Sequence, residues 1–176
     1  GGVVDEVLMR LNDALTAFPS ILLALVLISI LGPGNKYNVV IALGIVFIPS
    51  FARMARGTYA GLREVNYVKS ARLMGASSGR ILWRHILPNA MGPILVTAML
   101  DIGTMMMELA GLSFLGLGAQ PPTAELGNMM SGGRSMLQTY PWVILAPGAA
   151  ILFAVVAFNL LGDAVRDRLD PKNTQR

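Results

Sequence analysis

Long uncharged stretches alternate with short charged segments in the first third of this chain. Between Asp13 and Lys36 lie 22 uncharged residues, which as a helix reach roughly 33 Å and can cross a hydrocarbon core of about 30 Å. Another 16 uncharged residues separate Lys36 from Arg53. The pattern predicts two membrane-spanning helices at about 14–31 and 38–55.

The connection between these two spans is rich in glycine and proline over residues 31–35, which is typical of a tight turn between antiparallel helices. Pro19 and Pro49 lie near the start of the first span and within the second. Transmembrane bundles tolerate such prolines, so we expect a kink at each of them rather than a loss of the span.

Two further spans follow in the second half of the chain. The third is predicted at 91–117, where two carboxylates, Asp101 and Glu108, interrupt an otherwise apolar stretch. The fourth is predicted at 141–162, within 28 consecutive uncharged residues, and Trp142 at its start is typical of a membrane–water interface. The expected fold is therefore all-α: a polytopic membrane helix bundle with four transmembrane helices.

Composition supports a membrane protein. The chain is 54% hydrophobic and 14% charged, with a mean hydropathy of +0.59, whereas an average soluble domain is about 25% charged. It contains no cysteine and a single histidine, His85, which argues against disulfides and leaves little basis for a metal site, so none is predicted. The chain opens at Gly1 without a signal-sequence pattern, and we expect a single transmembrane domain over 1–176 that is incomplete at its N-terminus.

Basic residues are distributed very unevenly across the predicted topology. Four alternating spans place the N-terminal stretch, the 53–90 loop and the C-terminal tail on one side, and cytoplasmic loops of membrane proteins are enriched in Lys and Arg. The other side carries only Lys36 and Arg134. The asymmetry predicts a multi-pass protein of a cytoplasmic membrane, with the 53–90 loop inside, and argues against nucleic-acid binding. The twelve basic residues on the inner side are Arg10, Arg53, Arg56, Arg63, Lys69, Arg72, Arg80, Arg84, Arg166, Arg168, Lys172 and Arg176.

The cytoplasmic loop, approximately 57–90, has the pattern of two short amphipathic helices. Gly75 divides the two halves, Ser77 or Ser78 can cap the second helix, and Pro88 is expected to end it. This pattern fits either a basic hairpin lying on anionic lipid or an element that docks on a partner. The apolar stripe is expected at Val65, Val68 and Leu73 in the first half and at Ile81, Leu82 and Ile86 in the second.

The same loop resembles the EAA loop of binding-protein-dependent ABC importer permeases. Ala71, Gly75, Leu87 and Pro88 match at the family spacing. Lys69 and Ser70 stand where the family pattern has glutamate and alanine, as occurs in the peptide and nickel branch. Further segments resemble that branch in the same order along the chain, at 13–20, 49–53, 112–118, 120–122 and 158–163.

The resemblance implies a type I importer permease of six helices, of which this chain would hold the last four. Two homologous permeases would form the pore, an extracytoplasmic binding protein would deliver solute, and cytoplasmic ATPase subunits would hydrolyse ATP. The chain has no phosphate-binding loop of its own, so we expect neither enzymatic activity nor a cofactor. The residues that the resemblance assigns to ATPase coupling are Lys69, Ser70, Ala71, Arg72, Gly75, Ala76, Ser77, His85, Leu87 and Pro88.

A polar stripe crosses the third predicted span. Thr97, Asp101, Thr104 and Glu108 fall within roughly 60° of one another on a helix, and ionisable residues in a membrane face protein or water. The stripe either lines the solute path or serves packing; a proton relay is a third reading. The external loop 118–140 either gates the pore or receives the binding protein.

The solute is left open by the sequence: a dipeptide, an oligopeptide, nickel or another small molecule. A channel, a secondary transporter or a membrane-embedded enzyme are the alternatives from other classes.

Overall fold

A computed structural model describes residues 2–169. Every regular element within them is helical, which confirms the predicted all-α fold. Lys172 and Arg176, two of the basic residues counted above, lie outside the described residues. The elements in chain order are α1 Val3–Thr16, α2 Ser20–Leu31, α3 Lys36–Arg63, α4 Asn66–Leu73, α5 Ser78–Ile81, a π-helical turn Leu82–Ile86, α6 Leu87–Phe114, α7 Leu126–Gly132, a 3-10 turn Arg134–Met136 and α8 Trp142–Leu169.

Three helical segments are long and apolar enough to cross a membrane. These are α3, the continuous helical stretch Ser78–Phe114 that ends with α6, and α8. The helices α1 and α2 pass the same test only as a pair, and they are bent by 93° with respect to each other. The described residues thus contain three such spans, or four if the bent pair forms one.

The predicted first span, 14–31, is not one kinked helix. α1 ends at Thr16 and α2 begins at Ser20. Pro19 has no N–H and disfavours helical geometry at the residue before it; here it takes an extended ψ of 134° and stands at the N-cap of α2. Because α2 has 12 residues, it reaches only about 18 Å, too short to cross a bilayer alone.

The two helices of this broken segment, α1 and α2, contact different parts of α3 along its length. Asp5 of α1 pairs with Arg56 of α3 at 2.9 Å, and the buried Asn12 donates from Nδ2 to the carbonyl oxygen of Pro49 at 3.4 Å. α1 therefore lies along the half of α3 that carries its arginines. α2 packs against the other half through a core formed by Ala24, Ile28, Val39, Ala42, Leu43 and Leu112.

The turn between α2 and α3 is fixed by local hydrogen bonds. Gly32 ends α2 with a φ of +100°, a conformation that side chains disfavour. The Asn35 side chain accepts a hydrogen bond from the Tyr37 amide at 3.0 Å and caps α3. Asn38 donates to the carbonyls of Leu31 and Gly32 at 2.7 and 2.9 Å. The sequence-predicted tight turn is thus confirmed.

Close packing of α6 on α8 occurs at two glycines. A Cβ on Gly103 would lie 2.9 Å from Oδ1 of Asn159, and one on Gly162 would lie 3.2 Å from Cδ2 of Leu100. Small residues allow such close approach in membrane bundles. The contact sets α8 directly against the helix that carries the polar stripe.

The helices extend beyond the predicted span limits on the side with most basic residues. α3 continues past 55 to Arg63, and α8 continues past 162 to Leu169. α6 starts at Leu87 and ends at Phe114, where 91–117 was expected. Charge spacing locates the apolar part of a helix, whereas the helix itself continues as long as its backbone bonds are made.

Candidate functional site

The hairpin formed by α4, α5 and the π-helical turn has a small core of its own. Gly75 adopts a φ of +82°, as expected for a helix C-terminal turn, and the Ser77 hydroxyl accepts from the Arg80 amide at 3.4 Å. The predicted turn at Gly75 and the predicted helix cap at Ser77 are therefore confirmed. The buried residues that hold the two arms together are Val68, Ala71, Ile81 and Ile86.

The second arm of the hairpin does not end at Pro88, contrary to expectation. The chain passes from α5 through the π-helical turn Leu82–Ile86 into α6 without a break. Pro88 lies at the junction of the π-helical turn with α6, so its missing N–H falls where the helical hydrogen-bond pattern changes. Asn89 adds a side-chain hydrogen bond there, from its Nδ2 to the carbonyl oxygen of His85 at 2.7 Å. The hairpin is consequently continuous with the third membrane helix.

The tip of the hairpin exposes two large apolar side chains. Leu73 and Met74 are 88% and 81% exposed, immediately before the Gly75 turn. Leu73 was predicted in the buried stripe with Val65 and Leu82, yet all three are exposed. The first arm has only eight residues, so its buried face accommodates Val68 and Ala71, and Leu73 points away from it.

The remaining predicted loop residues lie on the outside of the hairpin or at its base. Lys69 Nζ pairs with Oε2 of Glu64 at 3.1 Å, and the hydrogen bond and charge of Lys69 lower the pKa of that exposed carboxyl. Ser70 and Arg72 are exposed, whereas Ala76 and Leu87 are half-buried. The ring of His85 lies 6.5 Å from that of Tyr67.

A second polar site lies between α2, α3 and α6. Asp101, Thr104 and Glu108 line one cleft of about 370 Å³, so three of the four stripe residues come together. Thr97 does not. It lines a separate groove beside α8, with Arg166 and Leu169. Residues on one helix face point in the same direction, but different helices pack against that face along its length. At Thr97 the neighbour is α8.

Hydrogen bonding in this cleft is incomplete. The Ser20 hydroxyl donates to Oε1 of Glu108 at 2.6 Å, at the N-terminal end of α2, where a helix favours negative charge. Oδ2 of Asp101 and Oε2 of Glu108 are buried and have no hydrogen-bond partner among residues 2–169. Arg53 lines the same cleft, yet no ion pair within the described residues joins it to either carboxylate.

Comparison with known proteins identifies the family to which the chain belongs. The family model "Binding-protein-dependent transport system inner membrane component" matches residues 1–175. The chain belongs to this family.

Its relatives include dipeptide and glutathione transport system permease proteins. The chain is 46% identical over 172 residues to the dipeptide transport system permease protein of Alkalihalophilus pseudofirmus, and 48% identical over 171 residues to the glutathione transport system permease protein of Pectobacterium atrosepticum. It is 49% identical over 168 residues to the glutathione transport system permease protein of Shigella flexneri. These matches cover 96–98% of this chain and 55–56% of the relatives, so the chain spans about half their length.

Sequence analysis did not predict two polar residues of the cleft, Ser20 and Arg53. Ser20 lies within the predicted span 14–31 and was noted only as the last residue of the segment 13–20, and its bond to Glu108 joins positions 88 residues apart. Arg53 was counted as a cytoplasmic charge, although it lies inside the predicted span 38–55. An arginine within a span is itself a signal of a polar partner or cavity, and that signal was available from the sequence.

The segment 118–140 is folded against α6. Glu125 caps α7 by accepting from the amides of Gly127 and Asn128 at 3.1 and 2.7 Å. A Cβ on Gly127 would collide with the Ala110 carbonyl oxygen, so α7 packs directly on the α6 backbone. Among residues 2–169, no group of three or more His, Asp or Glu is arranged to hold a metal ion.

Proposed function

We propose that this chain is part of a permease subunit that forms the solute pathway of an ATP-driven importer for peptides or related small solutes. Its relatives include a dipeptide and a glutathione transport permease, and the proposal extends that class of solute to this chain. The protein would reside as a multi-pass subunit in the inner membrane of a bacterium or archaeon.

The observation that carries the proposal is the apolar tip of the cytoplasmic hairpin. Leu73 and Met74 are almost fully exposed, on an arm that its own core holds against Ile81 and Ile86, and in the proposed topology they lie outside the bilayer. Burying one such side chain is worth about 1.5–3 kcal/mol. An exposed apolar tip on a rigid support is a docking element, and its partner here is a cytoplasmic ATPase subunit.

Continuity of the hairpin with α6 supplies the coupling. A displacement of the tip is carried through Ser78–Phe114 as one helical body, past the cleft that contains Asp101 and Glu108. Movement of the ATPases would thereby shift one wall of the solute pathway, as in other rigid-body transitions. ATP hydrolysis itself is assigned to the ATPase subunits, and solute delivery to an extracytoplasmic binding protein. A second, homologous permease would complete the pore.

The test is to make the tip polar and to follow docking. In the full-length permease, the double change Leu73→Ser and Met74→Ser should lower ATPase affinity at least tenfold and abolish solute-stimulated ATP hydrolysis in the reconstituted complex. Leu137→Ser is the matched control, because Leu137 is also exposed but lies in the external segment.

Two results would contradict the proposal. Normal docking by the double variant would assign the hairpin to the lipid surface. Solute uptake into vesicles without ATP by the wild-type complex would assign the protein to the channels or secondary transporters.

A further inference from the structure

The cleft between α2, α3 and α6 contains charges of both signs. Asp101 and Glu108 of α6 and Arg53 of α3 all line it, and within the described residues the arginine is not paired with either carboxylate. Opposite charges attract strongly where water is scarce. Side chains of opposite charge that share a cleft without meeting leave a gap that a dipolar molecule can bridge.

The charged groups are ordered along the cleft. Gln120, just beyond α6, lies beside Gly34, just before α3, so the outer ends of the two helices are close together. Counted from those ends at 1.5 Å per residue, Glu108 lies about 9 Å deep, Asp101 about 20 Å and Arg53 about 26 Å. The positive group is therefore at the inner end, and the negative groups follow toward the outside.

The dimensions fit a small peptide. Arg53 and Asp101 differ in depth by about 6 Å, and the backbone of two residues extends at most about 7 Å. A cleft of about 370 Å³ falls in the range of small-molecule sites, about 300–1,000 Å³. The carboxylate of Asp101, which lines the cleft, would accept from an ammonium group, and the Arg53 guanidinium would donate to a carboxylate.

We propose that this cleft binds zwitterionic solutes, with Arg53 holding the carboxylate end, Asp101 holding the ammonium end, and Glu108, further toward the outside, adding negative charge on the ammonium side. The inference rests on the proposed function and adds to it the chemical class of the solute and a residue, Arg53, that selects it. A bare metal cation would be disfavoured by the same arginine. Ser20 holds Glu108 in place through the 2.6 Å hydrogen bond and acts as a positioning residue.

The experiment measures binding of three probes to the complete transporter in nanodiscs, without the solute-binding protein. The probes are alanyl-alanine, which has both terminal charges, its N-acetyl form, which lacks the ammonium charge, and its C-terminal amide, which lacks the carboxylate charge. Wild-type protein should bind each capped probe about tenfold more weakly, or worse, because a charged hydrogen-bonding partner is left unpaired.

Variants at the two ends of the cleft should lose different binding penalties. In Arg53→Gln the penalty for amidation should vanish while the penalty for acetylation remains, and Arg53→Lys should retain both. In the double variant Asp101→Asn and Glu108→Gln the pattern should reverse. These ratios compare probes on one preparation, so they do not depend on the fraction of protein that folds. Arg10→Gln and Glu6→Gln, exposed positions on α1 outside the cleft, should leave both penalties intact.

Three results would overturn the inference: no binding by the wild-type complex, equal binding of all three probes, or an Arg53→Gln variant that loses both penalties. The same preparations, supplied with binding protein and ATP, report on the proposed function separately. If the wild-type complex shows ATP-driven uptake but binds all three probes equally, the zwitterion site is contradicted and the importer assignment is retained. Absence of ATP-driven uptake in the wild-type complex would remove the importer assignment.

Discussion

Arg134 is anchored to Phe114 through both its charge and its hydrogen-bonding groups. Its Nη2 donates to the Phe114 carbonyl oxygen at 3.0 Å, and its guanidinium carbon lies 3.7 Å from the centroid of the Phe114 ring. The contact joins the segment 118–140 to the C-terminal end of α6, where a helix favours positive charge. Arginine suits the site because its planar group can stack and donate at once.

We expect Arg134→Gln to loosen the segment 118–140 while the spans remain inserted. An exposed cation–π contact contributes about 0.5–1 kcal/mol, and the lost charged hydrogen bond adds to it. Amide hydrogen exchange in residues 120–141 should accelerate several-fold. Lys36→Gln is the control, since Lys36 also lies over an aromatic ring, that of Tyr37 at 5.3 Å, but does not bear on this segment. Equal exchange in both variants would mean that Arg134 is not an anchor.

Topology can be checked with single cysteines, because the chain has none of its own. Ser78 at the hairpin and Ser135 in the external segment are both exposed. In intact cells a membrane-impermeant thiol reagent should label Ser135→Cys only, and Ser78→Cys should become reactive after the cells are opened. Labelling of both from outside would contradict the orientation derived from the basic residues.

Gly75 is expected to be sensitive through its backbone conformation. Its φ is +82° and no heavy atom lies within 4 Å of a Cβ built there, so a side chain is strained rather than obstructed within this chain. A left-handed conformation costs a non-glycine residue about 1–2 kcal/mol, and asparagine less. Gly75→Ala should therefore weaken co-purification of the ATPase almost as much as Gly75→Val, and Gly75→Asn should be milder.

Gly79 provides the matched control in the same hairpin. It is helical and equally open, and alanine is the better helix former by about 1 kcal/mol. Gly79→Ala should leave docking unchanged or improve it. If Gly75→Ala behaves like Gly79→Ala while Gly75→Val does not, space at the partner surface, and not the positive φ, sets the requirement.

The α6–α8 contact predicts a size limit at Gly103. A Cβ there would meet Asn159 Oδ1 at 2.9 Å, which a small shift of the amide can relieve, so Gly103→Ala should be mild. Gly103→Leu should destabilise the protein by about 1–3 kcal/mol, the usual cost of overpacking, and lower its melting temperature in detergent. Gly44→Leu, at a helical glycine with open space around it, should not. Equal melting of the two leucine variants would show that the close approach is dispensable.

Much of the fold could be predicted because its causes are local. The apolar stretches that become α3 and α8 are visible as gaps between charges, and the stretch that becomes α6 is apolar apart from Asp101 and Glu108. They stand out because a membrane helix must satisfy its backbone internally over a known length. The turn at Gly75 and the cap at Ser77 depend on residues within three positions of each other. The break at Pro19 was only half predicted: the proline was evident, but the 93° bend also depends on what α1 and α2 pack against.

The candidate site, like the fold, could be predicted from the sequence only in part. The sequence by itself determined that Asp101, Thr104 and Glu108 share a helix face, because helical periodicity is a property of one segment. Only the tertiary structure decided that Ser20 and Arg53 come to that face and that Thr97 does not. Which side chains meet across helices depends on crossing positions set by packing, such as the glycine contacts of α6 with α8, and no local pattern encodes those.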